Sequence, residues 1–290
     1  KAVKIKRLKA KVQFRLYFCL FTFYFCFMNK FWQTSKRQLS LKKTLIMAIL
    51  NLTPDSFSDG GKFNTVENAL AQAENLIKNG ADIIDVGGES TRPKSKRVSE
   101  EEEKRRVLPI IEKISREFDI PISIDTSKSN VAQKAIESGA EIINDVSGLV
   151  FDEHIADIAV KYNTGLILMH LRGKFETMHQ QAPVADILQE VSDGFRKGVE
   201  KAHEKGVKNE NIVLDVGIGF SKTFEQNLEL IAKLDILCEN FKDFPILIGT
   251  SRKSFIGKVL DEPDPENRLF GSISSAAIAV FNGAKIVRVH

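Results

Sequence analysis

The sequence predicts an α/β protein, a (β/α)8 TIM barrel lacking its last helix, on three observations. Eight short apolar runs alternate with longer amphipathic stretches, the pattern of parallel strands joined by helical crossovers. No Gly-x-Gly-x-x-Gly turn follows the first run, as an open dinucleotide-binding sheet would want, so eight repeats of the unit argue for closure. The chain also stops at His290, the tip of the eighth run, with no helix after it.

The first predicted strand is 45–50 (Leu-Ile-Met-Ala-Ile-Leu), followed by a helix over 65–78 that ends before Gly80. Strand 82–86 leads to a helix over 99–118. That helix opens on Glu100–Glu103 and continues with Lys104-Arg105-Arg106, acids first and bases later, which complements the helix dipole and marks no site. Strand 121–124 and helix 128–138 close on Gly139; strand 141–143 is followed by helix 152–162. Strand 165–169 precedes a long helix over 184–205, capped by Gly206. Strand 211–214 precedes helix 223–237, strand 245–248 precedes helix 268–282, and Gly283 introduces strand 284–287. Without an eighth helix, apolar strand and helix surface is left open. At roughly 25 cal/mol per Å2 the loss is several kcal/mol. The expectation is therefore that the sequence is a fragment or that residues 1–44 partly cover the gap.

Composition narrows the function classes. Hydrophobic residues at 43% and charged residues at 28% are globular values and exclude a disordered chain. The net charge of +4 hides a split: residues 1–54 carry twelve Lys/Arg and no acid, and the rest carries 30 bases against 38 acids. The acidic body excludes a non-specific nucleic-acid surface. Cys19, Cys26 and Cys238 form no disulfide framework and no zinc spacing, which suits a reducing, cytoplasmic setting. Residues 1–13 are basic and 14–28 nearly all apolar or aromatic, like the first two regions of a secretory signal or an interfacial anchor. The apolar run is too short for a membrane span, no cleavage pattern follows, and the first methionine is Met28. Residues 1–27 are accordingly expected to lie outside the native enzyme, with the barrel in 28–290.

In such barrels the active site lies at the carboxyl ends of the strands. All eight predicted strands end in polar or ionisable groups: Asn51 and Asp55; Glu89, Thr91 and Arg92; Asp125-Thr126; Asn144-Asp145; His170; Asp215; Ser251-Arg252-Lys253-Ser254; and Arg288 with His290. Any one of them is as well explained as a turn-former or helix cap; His170 is equally well a satisfied core histidine, and His154, His179 and His203 are ordinary positions. The set of eight is poorly explained that way. Asp125, Asn144 and Asp215 offer acceptors for a flat heterocycle with several N–H groups. Thr91, Arg92, Ser251, Arg252, Lys253, Arg288 and His290 offer donors for phosphate or pyrophosphate. Asn51 or Asp55 would bind Mg2+ through oxygen, the rest of its shell coming from substrate and water. Lys94-Ser95-Lys96-Arg97 is a solvated basic loop by default.

Four segments then carry a resemblance. Met47-Ala48-Ile49-Leu50-Asn51-Leu52-Thr53-Pro54-Asp55-Ser56-Phe57-Ser58-Asp59-Gly60-Gly61 and Gly87-Gly88-Glu89-Ser90-Thr91-Arg92-Pro93 resemble the first two signatures of the dihydropteroate synthases, and Ser251-Arg252-Lys253-Ser254 and Arg288-Val289-His290 are similar to the last two. The resemblance covers residues 45–290. It implies a barrel, usually homodimeric, that joins 6-hydroxymethyl-7,8-dihydropterin diphosphate to 4-aminobenzoate, giving 7,8-dihydropteroate and pyrophosphate. It implies that Asp125, Asn144, Asp215 and Lys253 hold the pterin; that Asn51 sits at Mg2+; and that Arg288 and His290, with Asn51, face the diphosphate. Phe57, Thr91, Arg92, Pro93, Phe220 and Ser254 would form the aminobenzoate side, and Asp125, Lys253, Arg288 and His290 would carry the catalysis. The sequence departs from the family pattern at Lys94, Phe175, Val216 and Ser221, none an ionisable site residue of that set. A pterin-dependent methyltransferase would share the acceptors but not need the Ser251–Lys253, Arg288 and His290 donors; a non-catalytic pterin- or partner-binding barrel is the third alternative.

Overall fold

In a computed structural model the chain is described over residues 31–53, 62–92 and 95–290, the side chains of 62–65 excepted. Phe57, Pro93, Asp55 and Lys94, and the segment 1–27, lie outside the described residues.

Eight parallel strands close into a barrel in the order β10-β3-β4-β5-β6-β7-β8-β9. They are β3 (Leu45–Asn51), β4 (Ile83–Gly87), β5 (Ile122–Asp125), β6 (Ile142–Asp145), β7 (Gly165–Met169), β8 (Ile212–Asp215), β9 (Ile246–Ile248) and β10 (Ile286–Val289). Each predicted strand is present within one or two residues. The surrounding helices are α1 (Lys62–Lys78), α2 (Glu100–Glu117), α3 (Ser129–Glu137), α4 (His154–Tyr162), α5 (Ile187–Glu204), α6 (Phe224–Ala232), α7 (Leu234–Asn240), α8 (Ser254–Leu260) and α9 (Leu269–Phe281). Local chemistry sets their starts: Ser99 and Asp186 accept from the backbone N–H three residues on, and Thr223 with Gln226 forms a reciprocal capping box. The single helix expected over 223–237 is instead two, broken at Lys233, and α8 is an additional short helix between the seventh strand and α9.

Strand periodicity divides the lumen into layers. Every second residue points inward. The lower layer is Leu45, Met47, Ile83, Ile142, Ile167, Val213, Leu247 and Ile286, an apolar cluster distinct from the strand–helix core. Two residues further along the same faces the inward positions become Asp85, Asp125, Asn144, Asp215 and Arg288. The barrel thus has an apolar plug below and a polar floor above, facing the carboxyl rim.

The plug is completed by a hairpin that the sequence analysis did not predict, β1 (Phe31–Gln33) and β2 (Gln38–Ser40), antiparallel. Trp32 is fully buried in the lower cluster with Leu41, and its indole N–H donates to Asn211 O at 2.8 Å. Gly165 makes room for it: a Cβ there would lie 2.9 Å from Trp32 Cζ2. Buried Glu141 receives Thr34 Oγ1 at 2.8 Å and pairs with Arg37 at 2.9 Å. The described part of residues 1–44 therefore seals the amino-terminal mouth; it does not cover the flank beside α9, as one expectation had it. On that flank Leu269, Phe270, Ile273, Ile278 and Phe281 remain exposed, Phe270 by 80%.

Candidate active site

The polar floor is assembled by register. Asn51 pairs across the ladder with Gly87, Gly87 with Asp125, and Asp125 with Asn144, so four inward positions on β3–β6 follow one another along a single ladder row. Gly87 has no side chain to fill the gap between its neighbours; a Cβ there would stand 3.6 Å from Asn51 Oδ1 and 3.7 Å from Asp125 Cβ. From β10, Arg288 reaches across the lumen, its Nε donating to Asp85 Oδ2 at 2.6 Å and its Nη2 to Asp125 Oδ2 at 2.7 Å. Asn144 Nδ2 also donates to Asp85 Oδ2, at 3.2 Å.

Asp85 is a site residue that the sequence analysis missed, because it lies inside an apolar run. The available signal was the ionisable residue itself: a carboxylate in Ile83-Ile84-Asp85-Val86 needs a buried partner. Its Oδ1 has no hydrogen-bond partner among the described residues. Burial, opposed by Arg288 and reinforced by Asp85, pushes the Asp125 carboxyl up to about 7. The two acids hold the Arg288 guanidinium firmly protonated against its own desolvation.

A second group gathers at the end of β8. Asp215 Oδ1 accepts from Gly217 N at 2.8 Å, a turn that requires glycine: φ is +65°, and a Cβ would stand 2.1 Å from His170 O. Desolvation raises the Asp215 pKa, against the stabilising Gly217 N–H and Lys253. Lys253 donates its ammonium to Ile218 O and lies 4.6 Å above the Phe220 ring. Burial lowers its pKa to about 8 despite Asp215. Lys222, also missed, donates to Phe220 O at 2.9 Å and to His170 O at 3.3 Å, with His170 Nδ1 3.0 Å away. Desolvation brings the amine to about 7 and the His170 imidazole to about 2, so His170 is a neutral acceptor within the loop packing.

The remaining predicted residues distribute unevenly. His290 faces Ser251 Oγ through Nδ1 at 3.1 Å. Desolvation of the ring and then the cations Arg252, Arg288, Arg92 and Lys253 lower its pKa, so at neutral pH it supplies an N–H rather than a positive charge. Arg252, expected among the anion donors, instead pairs with Glu266 at 2.6 Å. Ser254 opens α8 and is exposed; Arg92 is exposed on the β4–α2 loop. Thr91 O faces His179 Nε2 at 2.8 Å, and the His179 ring stacks on Phe220 at 5.4 Å, so His179 is no ordinary loop position. Glu103, read as part of the run that complements the helix dipole, does more: fully buried, it pairs with Lys128, which also pairs with Glu89 at 2.9 Å. No cluster of three or more His, Cys, Asp or Glu suited to a metal occurs among the described residues.

The arrangement offers buried acceptors in contact with a cation inside the barrel, with further donors at the open rim. Residues 47–290 match the family model described as "Pterin binding enzyme". The chain is 49% identical over 250 residues to a dihydropteroate synthase of Clostridium beijerinckii, covering 86% of this chain and 89% of that protein, and 46% identical over 258 residues to that of Bacillus subtilis, covering 89% and 87%. A Clostridium difficile dihydropteroate synthase crystallised in the presence of pteroic acid superposes with a TM-score of 0.80 at 47% identity, covering 86% of this chain and 91% of its own. The Xanthomonas albilineans enzyme with 4-aminobenzoic acid gives 0.84 at 37% identity, covering 90% and 92%. On sequence, fold and the order of its motifs, the chain belongs to the dihydropteroate synthase family of pterin-binding enzymes.

Proposed function

We propose that the chain condenses 6-hydroxymethyl-7,8-dihydropterin diphosphate with 4-aminobenzoate to give 7,8-dihydropteroate and pyrophosphate, as a step of folate biosynthesis. The observation that carries this reading is the Asp85–Arg288–Asp125 cluster beside Asn144, with Asp215 and Lys253 across the lumen: acceptors and cations share one rim.

Asp125, Asn144 and Asp215 accept the ring N–H groups of the pterin, and Lys253 donates to its carbonyl edge. Ionisation at the carbon bearing the diphosphate comes first. Positive charge spreads into the electron-rich ring, where the buried carboxylates stabilise it. Arg288 and the His290 N–H bear on the departing pyrophosphate. The neutral arylamine then attacks, and its nitrogen gives up a proton to water or to the departing pyrophosphate once the C–N bond has formed; no strong general base is needed, since an aniline is unprotonated at pH 7. Phe220, Thr91, Arg92 and Ser254, with Phe57 and Pro93, form its side of the site and exclude water that would capture the cation.

The donor set suits Mg2+ held chiefly by substrate. Asn51 presents a hard amide oxygen beside Gly87 and Asp125, with no carboxylate cage among the described residues. Asn51 would hold the ion, which when bound neutralises charge on the leaving diphosphate. A homodimer in the cytoplasm belongs to the same reading; the exposed apolar face of α9 supports the dimer, and no helix among the described residues is long and apolar enough to cross a membrane.

The test is pyrophosphate release with both substrates and Mg2+. Release that depends on 4-aminobenzoate supports the reading, whereas pterin binding without release overturns it.

A further inference from the structure

The β4–α2 loop, which carries Thr91 and Arg92, is fastened to the rim by residues outside the substrate set. At one end is the His179–Thr91 contact, 2.8 Å long. At the other, Val98 N donates to Glu89 Oε1 at 2.7 Å, and Glu89 is pinned by Lys128. Between them stands Arg97. Its guanidinium carbon lies 5.6 Å from the Phe151 ring centroid and 5.4 Å from that of Phe175, and its Nη2 donates to Ser127 Oγ at 3.3 Å. The two rings form an edge-to-face pair 6.5 Å apart. They pack in a small apolar cluster with Met169 and Met178, separate from both barrel cores, to which Phe220 also belongs.

Ser127 lies on the β5–α3 loop, Phe151 on the β6–α4 loop and Phe175 on the β7–α5 loop, so one side chain joins its own loop to three other rim loops. The basic stretch thus contains a residue that is not merely solvated. A planar guanidinium can lie against two ring faces while bonding a hydroxyl; an ammonium cannot reproduce that geometry.

We infer that Arg97 is a positioning residue for the amine subsite: seated on Phe151 and Phe175, it holds the Thr91–Arg92 stretch where the second substrate is ordered. This rests on the assignment of that stretch to the 4-aminobenzoate side. Arg97 touches none of the pterin-side residues, so its removal acts on one substrate selectively.

The experiment compares the full chain with Arg97→Ala, Arg97→Lys, Phe175→Leu and Arg97→Ala/Phe175→Leu. Expected is a five- to twentyfold rise in KM for 4-aminobenzoate in Arg97→Ala, with KM for the pterin diphosphate within twofold. Arg97→Lys should recover part of the loss, and the double variant should be no worse than Arg97→Ala, since one contact is removed twice. Amide exchange at Arg92 and Ser95 provides a readout independent of turnover and should quicken about tenfold in Arg97→Ala. An amine KM within twofold of the parent, both KM values rising together, or unchanged exchange would overturn the inference. An inactive parent chain whose loop amides still respond to Arg97→Ala would count against the proposed reaction and leave the fastening intact.

Discussion

Arg288 and Asp125, 163 residues apart in sequence, meet at 2.7 Å inside the barrel, and the same guanidinium holds Asp85 at 2.6 Å. A cation expected at the leaving group is therefore also the counter-ion of the pterin-side acids. The two halves of the site are electrostatically one unit.

Arg288→Ala should accordingly have two effects. Loss of a charge-stabilising donor is expected to lower kcat by about 10²–10³-fold. Pterin-alcohol binding should weaken less, about tenfold, as Asp125 becomes harder to ionise. Stability should fall by about 3 kcal/mol, because two buried acids lose their partner while the Arg288 side chain is only 21% exposed. Steady-state kinetics, calorimetry and urea unfolding separate the effects. Equal losses in kcat and pterin affinity would contradict the leaving-group role.

The pH dependence follows from Asp125. Its folded pKa, about 7, is above the ordinary 3.8, so between those values the native protein keeps a proton that the unfolded chain releases. Its contribution to stability thus declines as pH rises through that window. Ring binding needs the carboxylate, so pterin-alcohol affinity should increase through pH 7 and fall again as Lys253 loses its proton near 8. Asp85→Asn removes a charge that raises Asp125. Calorimetry across pH 5–9 should show the rising limb shifted to lower pH in that variant; an unmoved limb would separate the two carboxylates.

Lys253→Ala should weaken pterin-alcohol binding about ten- to hundredfold, the loss expected of a hydrogen bond from a charged donor in an enclosed site. Lys253→Met, which keeps the stem over Phe220, should lose nearly as much. Affinity restored by the methionine would assign the effect to packing on the ring.

Trp32→Ala should destabilise the protein by about 3–5 kcal/mol, the usual cost of emptying a large aromatic site, while leaving KM values within twofold. The indole is fully buried at the end of the lumen remote from Arg288. Urea unfolding checks it, and a loss under 1 kcal/mol would mean that the hairpin does not seal the barrel.

Much of this was legible in the sequence because buried parallel strands read as apolar runs, and period two then carries each run to its polar tip. Asp125, Asn144, Asp215 and Arg288 were found that way. Asp85 was not, since it lies inside an apolar run, two residues before its tip, and is stabilised by a guanidinium two hundred residues away. His179 and Arg97 looked like ordinary loop residues because their partners, Phe220, Phe151 and Phe175, come from other loops. Trp32 was hidden in an aromatic stretch whose three-residue strand is too short for alternation to be read from sequence. The break at Lys233 and the seven-residue α8 fall below what a 3.6-residue pattern can mark.

The most direct measurement is a single-turnover reaction, enzyme in excess over 6-hydroxymethyl-7,8-dihydropterin diphosphate, with 4-aminobenzoate and Mg2+ supplied and both products quantified. Pyrophosphate and 7,8-dihydropteroate should form in equal amounts. Bound pterin diphosphate that persists unreacted, or pyrophosphate formed with only the hydrolysed pterin alcohol, would contradict it.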